Sequence, residues 1–480
     1  MLAGQFNGLI SNPPWLAMSQ FAENPYKDQL SARAQSYGIK PSGAAHPHLE
    51  LATTHLLHAI DRYLKPGAAI ACLVPGTIFN GQHHAKLRDY AYLGADRSVP
   101  FELQEVWEVT PGTFKIRGAV AVGVKKRTMG EVNRGNPNGA IALPTEIQTC
   151  PFNVGRLGDR TAWVLGTSPV ISRPEAGEIP PQGADLMPRP GVCVEIGDRR
   201  GSEWRVRTPR QNNPSYFAVK SAKKLEGQNF DGHVAPDFIH RMAQSLNLLP
   251  FALDNNFVNI AIPARRDENG AWEIMDVPAI RTAGYNRTAR RFQRINRAME
   301  EDEIVKPLYE KINERNKLNI QVFPPDKYLV LNGAGGGIAC AALLRLSEFP
   351  DVIIDQTLYW KLVETEQEAW YRVGLINSDT LTEAIRPFNP EGELGPRHLH
   401  GLTNQAIPPF DQDNADHIRI ADLARQLSEQ ALPLIAEDER ISDPSRSISA
   451  RRRLLRNKLK ELPEYAALED VSASVLGITG

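Results

Sequence analysis

Phe6-Asn7-Gly8-Leu9-Ile10-Ser11 runs directly into Asn12-Pro13-Pro14-Trp15, and the reading of this chain turns on that junction. The first part is short, mostly apolar and strand-like. Two prolines then end it, since proline lacks the N–H a β-ladder needs and fixes its own φ. Outward from the junction the chain alternates. Residues 49–64 carry Leu49, Ala52, Leu56, Leu57, Ile60 and Leu64 at helical spacing, which predicts one apolar face. Pro66-Gly67 reads as the punctuation after that helix. Residues 68–74 (AAIACLV) are continuously apolar, as in a strand covered on both faces. A second helix is predicted over residues 82–93. Two β-rich stretches follow, 101–109 and 118–124, separated by a turn at Pro111-Gly112 and closed by Lys125-Lys126-Arg127. The alternation predicts an α/β sheet with an antiparallel pair at its end.

Composition bounds the rest. A chain of 480 residues suggests two or three domains and is long enough to bury a large core. With 42% hydrophobic and 23% charged residues it is an ordinary globular composition, which excludes a disordered chain, a coiled coil or a collagen-like fibre. No run approaches the roughly 18 apolar residues of a membrane helix, so no membrane partner is expected. Residues 1–9 lack the basic start and long apolar core of a signal peptide. Cys72, Cys150, Cys193 and Cys340 are scattered without a Cys-x-x-Cys pair, which argues for a reducing compartment and against a disulfide framework or a structural zinc site. A bacterial-style cytoplasmic protein is expected. Lys plus Arg number 55 against 56 Asp plus Glu, so evidence of a polyanionic partner has to be local.

Beyond residue 128 the texture changes. Gly135-Asn136-Pro137-Asn138-Gly139, Pro180-Pro181 and Pro188-Arg189-Pro190 separate short β-like runs, as in a connection leading into a loop-rich α+β domain. An arginine-rich helical stretch covers residues 281–298, a glycine-rich turn covers 333–337, and a basic helix over 445–459 follows the acidic Glu437-Asp438-Glu439. There is no internal repeat of fixed period.

Asn12-Pro13-Pro14-Trp15 sits where an apolar strand runs out, the place where open α/β sheets bind ligands. Its residue types suit alkylation of an exocyclic amine on a nucleobase. The lone pair of such an amine is delocalised into the ring. A carboxamide oxygen and a neighbouring backbone carbonyl, both acceptors, can take its two N–H bonds and draw the nitrogen towards a pyramidal geometry. Consecutive prolines stiffen that carbonyl and offer no competing donor. The tryptophan offers a face on which an extruded base can stack.

At these residues the chain resembles the gamma-class DNA amino-methyltransferases, whose pattern is Asn-Pro-Pro-aromatic. In that family the motif follows the fourth strand of the sheet, and a helix, a strand ending near a proline, another helix and a terminal hairpin come next. Residues 49–64, 68–75, 82–93 and 101–124 correspond. A later family motif sets a second aromatic before the last strand, against the other face of the flipped adenine; Phe114, in Gly112-Thr113-Phe114-Lys115-Ile116, matches it. The text from Tyr371 through Gly395-Pro396-Arg397-His398-Leu399-His400 to Ile407-Pro408-Pro409-Phe410 resembles the target-recognition region of large restriction-modification and phage-defence methyltransferases.

The resemblance implies an α/β fold: the second half of a class I (Rossmann-like) methyltransferase sheet over 1–130, an α+β target-recognition region over 131–430 and a basic helical tail over 431–480. It implies site-specific DNA adenine-N6 methylation with S-adenosylmethionine as cofactor and double-stranded DNA as partner. Asn12 and the Pro13 carbonyl would accept from the target amine, Pro14 would stiffen the turn, and Trp15 and Phe114 would stack. Family members of this motif order carry the Gly-rich cofactor loop ahead of the motif. The chain starts five residues before the presumed fourth strand. A split enzyme or a fragment is therefore expected, with an N-terminal-half methyltransferase subunit as partner.

Alternatives stay open on the residues. One is a non-catalytic DNA-binding or specificity protein derived from such an enzyme. Another is a permuted, complete methyltransferase in which Asn332-Gly333-Ala334-Gly335-Gly336-Gly337 is a displaced cofactor loop and Asp355 its ribose-binding acid. Methylation at cytosine N4 poses the same chemical problem. Arg281, Arg287, Arg290, Arg291, Arg294 and Arg297 have no acid between them, and Tyr285 and Phe292 lie among them. Arg287, Arg290, Arg291 and Arg294 are the candidate phosphate contacts, against the plainer reading of a solvated helix face. The basic residues of the tail could touch DNA, and equally could pair with the preceding acidic patch or with a partner subunit; the plainer pairing is the expectation. His46, His48, His55, His58, His83 and His84 cluster without a carboxylate or thiolate set to complete a coordination shell, so they read as hydrogen-bonded and no metal is expected.

Overall fold

The apolar run at the start of the chain forms strand β1 (Phe6–Ser11), which ends where the prolines begin. The computed structural model describes residues 3–21, 25–110, 112–167, 170–173, 175, 177–210, 225, 227–334, 338–389 and 399–478. They divide into two compact units. The first comprises Met1–Gly177, Glu383–Arg397 and Gly477–Gly480; the second comprises Glu178–Thr382 and His398–Leu476.

In the first unit, β1 is followed by helices α1 (Pro25–Ser36) and α2 (Leu51–Tyr63) and strand β2 (Leu64–Pro75). Next come β3 (Phe101–Val109), β4 (Gly118–Lys125), β5 (Asn138–Ala142) and β6 (Ile147–Cys150). They form one sheet in the order β1-β2-β4-β3-β5-β6. β1 and β2 are parallel, β4 is antiparallel to both β2 and β3, and β5 runs parallel to β3. The strand–helix–strand start and the antiparallel β3–β4 pair are thus as the sequence predicts, but that pair does not end the sheet, which β5 and β6 continue. Residues 131–177, expected to open the recognition region, pack in this first unit because β5 extends its sheet.

Two local readings need correction. Pro66-Gly67 lies within β2, not in a turn, and a register shift between Phe6 and Gly8 accommodates it. Nor is β2 covered on both faces: Ile70, Cys72 and Val74 are buried, but Ala71 and Leu73 are half-buried and Ala69 is exposed. The buried face packs with Leu56, Leu57 and Ile60 of α2, each fully buried side chain contributing about 1.5–3 kcal/mol. The helix expected over 82–93 breaks into short turns. Tyr90 adopts a left-handed φ of 56°, and the buried Arg88 guanidinium donates to the Ile78, Gly81 and Thr161 carbonyls, which pins the segment.

Inside the hairpin, Gly123 is a forced choice. A Cβ there would lie 2.1 Å from the Glu102 carbonyl oxygen and 2.7 Å from the Phe101 ring. Gly123→Ala is expected to wedge β3 from β4 and to destabilise the first unit by about 1–3 kcal/mol, the usual cost of overpacking. Urea unfolding measures it, and an unchanged midpoint would contradict the registered packing. The late segment of this unit closes a gap: a Cβ at Gly155 would lie 2.8 Å from the buried Phe388 ring, and the Asn80 side chain donates to the Asn389 carbonyl at 3.4 Å.

The second unit is α+β. Strand Tyr328–Gly333 lies between Ala341–Arg345 and Leu358–Val363, antiparallel to both. Helices Glu366–Asn377, Ala415–Glu437, Ile448–Leu459 and Pro463–Val475 also belong to this unit. The basic tail is integral to it. Arg451 and Arg456 are buried, Arg456 donates to the Asn377 and Ala339 carbonyls, and Lys458 pairs with Asp438 at 3.4 Å.

The displaced-loop alternative does not fit this topology. After Gly333 the chain returns as a second antiparallel strand, not as a helix whose N-terminus would face a phosphate. Residues 335–337 lie outside the described set. Asp355 is fully buried and ion-paired with Arg189 at 2.7 Å, so it is not a ribose ligand.

His240 gives this unit a pH dependence. Its ring packs edge-on to Trp272 at 5.0 Å, with Nε2 3.0 Å from the Ala264 carbonyl oxygen. Burial, reinforced by Arg266 and only partly opposed by that carbonyl and by Asp351 and Asp237, lowers its pKa from 6.5 to about 4. The unfolded chain therefore takes up the proton first. The stability the neutral ring contributes is complete above pH 6.5 and is lost as pH falls from 6.5 towards 4. The expected slope in that window is at most about 1.4 kcal/mol per pH unit. It should be absent from the difference between wild type and His240→Gln if the imidazole is not responsible.

Candidate active site

Where β1 stops, the chain continues without regular secondary structure. Asn12 and Pro14 are exposed, Pro13 is buried and Trp15 is half-buried. The segment is anchored at its far end. Leu51 N–H donates to the Leu16 carbonyl at 3.0 Å, Met18 N–H donates to the Leu49 carbonyl at 2.9 Å, and Ala17 bridges Glu50. Trp15 Nε1 donates to the Leu73 carbonyl of β2 at 3.4 Å. The motif is therefore fixed to the sheet at both ends, with Asn12 left free of that scaffold.

Phe114 reaches the same corner from the turn between β3 and β4. Its ring centroid lies 5.4 Å from that of Trp15, tilted by 59°. Gly118 permits this, since a Cβ there would lie 3.1 Å from each ring. The two rings touch, so the aromatic pair that the sequence singles out is assembled, but without a slot between its members. A base sandwiched between them needs the ring planes about 7 Å apart, twice a carbon–carbon contact distance. A hollow of about 470 Å³ opens beside Phe114, lined by Glu108, Val109, Thr110, Lys115 and Arg117 among others. Arg117 is ion-paired with Glu108 at 2.6 Å and lies over the Phe79 ring at 4.6 Å, and its carbonyl accepts from Gly76 N–H at 2.7 Å. These contacts hold the base of the Phe114 turn against the end of β2.

Glu50 is the residue that sequence reasoning missed. It stands just before α2, in the apolar context Leu49-Glu50-Leu51, and is buried. His83 Nε2 lies 3.1 Å from its Oε1 and His84 Nε2 lies 3.0 Å from its Oε2, while Thr77 Oγ1 donates to Oε1 at 2.9 Å. Burial works against the carboxylate, yet the two imidazoles hold Glu50 well below the usual carboxylate range. Burial pushes His84 down to about 4. A glutamate between two leucines was the available signal; its partners, 27 to 34 residues away, were not.

In the second unit the arginine-rich stretch forms the helix Asn286–Glu301. Arg287 is exposed and pairs with Glu203 at 3.4 Å, Arg290 is exposed, and Arg294 is exposed with its guanidinium donating to the Asp231 and Asn229 carbonyls. A hollow of about 460 Å³ at the helix start is lined by Arg200, Ser202, Glu203, Asn286 and Arg287 among others. Arg291 is a correction. It is 2% exposed and donates to the Phe230 and Gly191 carbonyls at 3.0 Å, so it holds the core and is withdrawn from any phosphate. Phe292 is likewise core, and Tyr285 donates to Asp237 at 2.8 Å.

The recognition-like text beginning at Tyr371 is also core-forming. Tyr371 is buried on the helix Glu366–Asn377, its ring near Phe410 and His417 and its hydroxyl donating to the Pro408 carbonyl at 3.2 Å. Residues 390–398 lie outside the described set.

In fold, the chain is similar to a restriction-modification enzyme. The Type IIL restriction-modification enzyme MmeI, solved in complex with DNA, matches with a TM-score of 0.53 at 12% identity, covering 98% of this chain and 54% of that one. This chain thus spans about half the length of that enzyme. Fainter matches, both at a TM-score of 0.39 and 10% identity, are to the ATP-dependent Type ISP restriction-modification enzyme LlaBIII bound to DNA and to the DrdV–DNA complex. Each covers 88% of this chain, and they cover 30% and 44% of those chains respectively. No protein-family model and no curated protein matches this chain. Among the described residues no helix is long and apolar enough to cross a membrane.

Proposed function

We propose that this chain carries the base-holding half of a site-specific DNA adenine-N6 methyltransferase working in restriction-modification or phage defence. The observation that carries this reading is the corner at the end of β1. Asn12 is exposed beyond a parallel strand, and Trp15 just after it touches Phe114 of the β3–β4 turn. The order β1-β2-β4-β3, with β4 antiparallel within it, agrees with the second half of a class I methyltransferase sheet.

In this reading the Asn12 side-chain oxygen and the Pro13 carbonyl accept the two N–H bonds of the everted adenine's amine and free its lone pair. Trp15 stacks on one face of the base. Phe114 takes the other face once its turn swings outward, with the hollow beside it as the space to move into. S-adenosylmethionine supplies an electrophilic methyl group. The outer edge of β1 is unpaired among the described residues, with Phe6 43% and Ile10 94% exposed, which suits pairing with the cofactor-holding strands of an N-terminal-half polypeptide. Arg287, Arg290 and Arg294 remain the candidate phosphate contacts, and double-stranded DNA the macromolecular partner. Similarity in fold to an enzyme solved with DNA is consistent with that role.

The test is transfer of label from S-adenosylmethionine to DNA by this chain alone and together with the polypeptide encoded next to it. Transfer to adenine N6 only with both present is the expected result. Transfer by this chain alone would overturn the divided cofactor site, and none with either preparation would overturn the enzymatic reading.

A further inference from the structure

We propose that Glu50, His83 and His84 form a binding site for a single divalent transition-metal ion of the zinc type. The ion would clamp the segment that follows Trp15 to the loop that follows β2. Among the described residues this is the group whose ligand atoms converge in this way, one from each residue, all within 4.8 Å of one another. Two imidazole nitrogens and a carboxylate oxygen are the donor types that zinc accepts, with a fourth position left for water or another side chain. His48 lies close by, its ring centroid 6.3 Å from that of His83, but outside the converging set, so water is the fourth ligand assigned here.

The spacing suits an ion. Each Nε2 is about 3 Å from its own carboxylate oxygen. The edge of a tetrahedron with zinc–ligand distances of about 2.0–2.1 Å is ~3.4 Å, so each imidazole would open slightly from its carboxylate oxygen while the three ligand atoms, within 4.8 Å of one another, draw together around the ion. To ligate, each imidazole would be neutral with its proton on Nδ1, so that the Nε2 lone pair faces the ion in place of the bond to the carboxylate. The surroundings orient the set. Thr77 Oγ1 donates to Glu50 Oε1, the kind of supporting bond that fixes a ligating carboxylate. Gly81 leaves room for the His83 ring, since a Cβ there would lie 2.8 Å from His83 Cε1. Because the Glu50 backbone bridges Ala17, an ion bound to its side chain ties the segment that follows Trp15 to residues 82–84. This inference does not rest on the proposed methyl transfer.

The experiment uses the full, tag-free chain, stripped with a chelator and dialysed, then titrated with zinc and, separately, with cobalt(II). One zinc per chain by elemental analysis is expected, together with the visible absorption bands of low-coordinate cobalt and a raised melting temperature on zinc addition. Glu50→Gln and His84→Gln should lose the ion, whereas His46→Ala and His55→Ala should keep it. Thr77→Val, which leaves all three ligands in place, should weaken zinc binding by about 10–100-fold. Should Glu50→Gln fail to fold, the wild-type cobalt spectrum and Thr77→Val still decide. A wild-type chain that takes up no stoichiometric zinc, or folded Glu50→Gln and His84→Gln variants that bind it as wild type does, would overturn the site and leave a hydrogen-bonded triad.

Discussion

Asn12→Ala is expected to lower methyl transfer by about 10²–10³-fold while folding and DNA retention stay as in wild type. The size follows from the role proposed for the side chain. In that reading its oxygen would meet the amine most strongly as the nitrogen pyramidalises, so its loss would fall on the transition state, as when one preorganised hydrogen-bonding group is removed from an oxyanion site. Asn12 is exposed beyond the end of β1, and truncating an exposed side chain usually moves stability by less than about 0.5 kcal/mol. A loss of activity would therefore not be a loss of fold. The measurement is single-turnover labelling of unmethylated DNA, with the proposed partner polypeptide present, beside a filter-retention assay. Asn12→Asp keeps an acceptor at the same place and should retain part of the rate. A variant lacking the side chain that methylates as fast as wild type would remove the chemical role from this corner. The chain would then read as a DNA-binding relative of such enzymes.

The largest effect on stability is expected at Arg189. Its guanidinium and the Asp355 carboxylate meet at 2.7 Å with side chains 5% and 0% exposed, and Asp355 also accepts from Thr357 N–H at 3.0 Å and Thr357 Oγ1 at 2.6 Å. Removing one member of a buried pair strands the other without water. Arg189→Met should therefore destabilise the second unit by about 3–5 kcal/mol, whereas making both members neutral costs much less. Arg189→Met combined with Asp355→Asn should recover most of the loss. Urea unfolding followed by tryptophan emission reports both, since Trp272, Trp360 and Trp370 lie in this unit. A single variant as stable as wild type, or a double variant no better than the single, would show that the charges are not held out of water.

The sheet of the first unit was readable because its cues are local. Apolar runs, a proline stop and an amphipathic helix specify β1, β2 and α2 within a few residues, and the hairpin of β3 and β4 follows from a turn between two β-rich stretches. Where the reading went astray, distant partners decided. The stretch over 82–93 carries a helical pattern, but Arg88 is held by carbonyls at Ile78 and Thr161, and Tyr90 leaves the helical region. Arg291 could have been recognised as internal: Thr288, Ile295 and Met299 are three, four and eight residues from it and, with Phe292, form the buried face. Counting charges along the stretch hid that face. The candidate site was legible as Asn12, Trp15 and Phe114, since motif and turn are sequence features. Glu50 and Gly118 were not, because each matters only through what folding brings against it.

The interleaving of the two units governs how the polypeptide must be made. Phe388 fills the space beside Gly155, yet everything in Glu178–Thr382 is synthesised between them. On a ribosome adding about 5–20 residues per second, the earlier body waits, with that gap open, until most of the later one has emerged. Closing so long a loop favours slow completion over independent maturation. Grafting the second unit of a relative therefore requires junctions on both sides of the inserted stretch. A simple exchange after residue 177 would leave the recipient without its own plug.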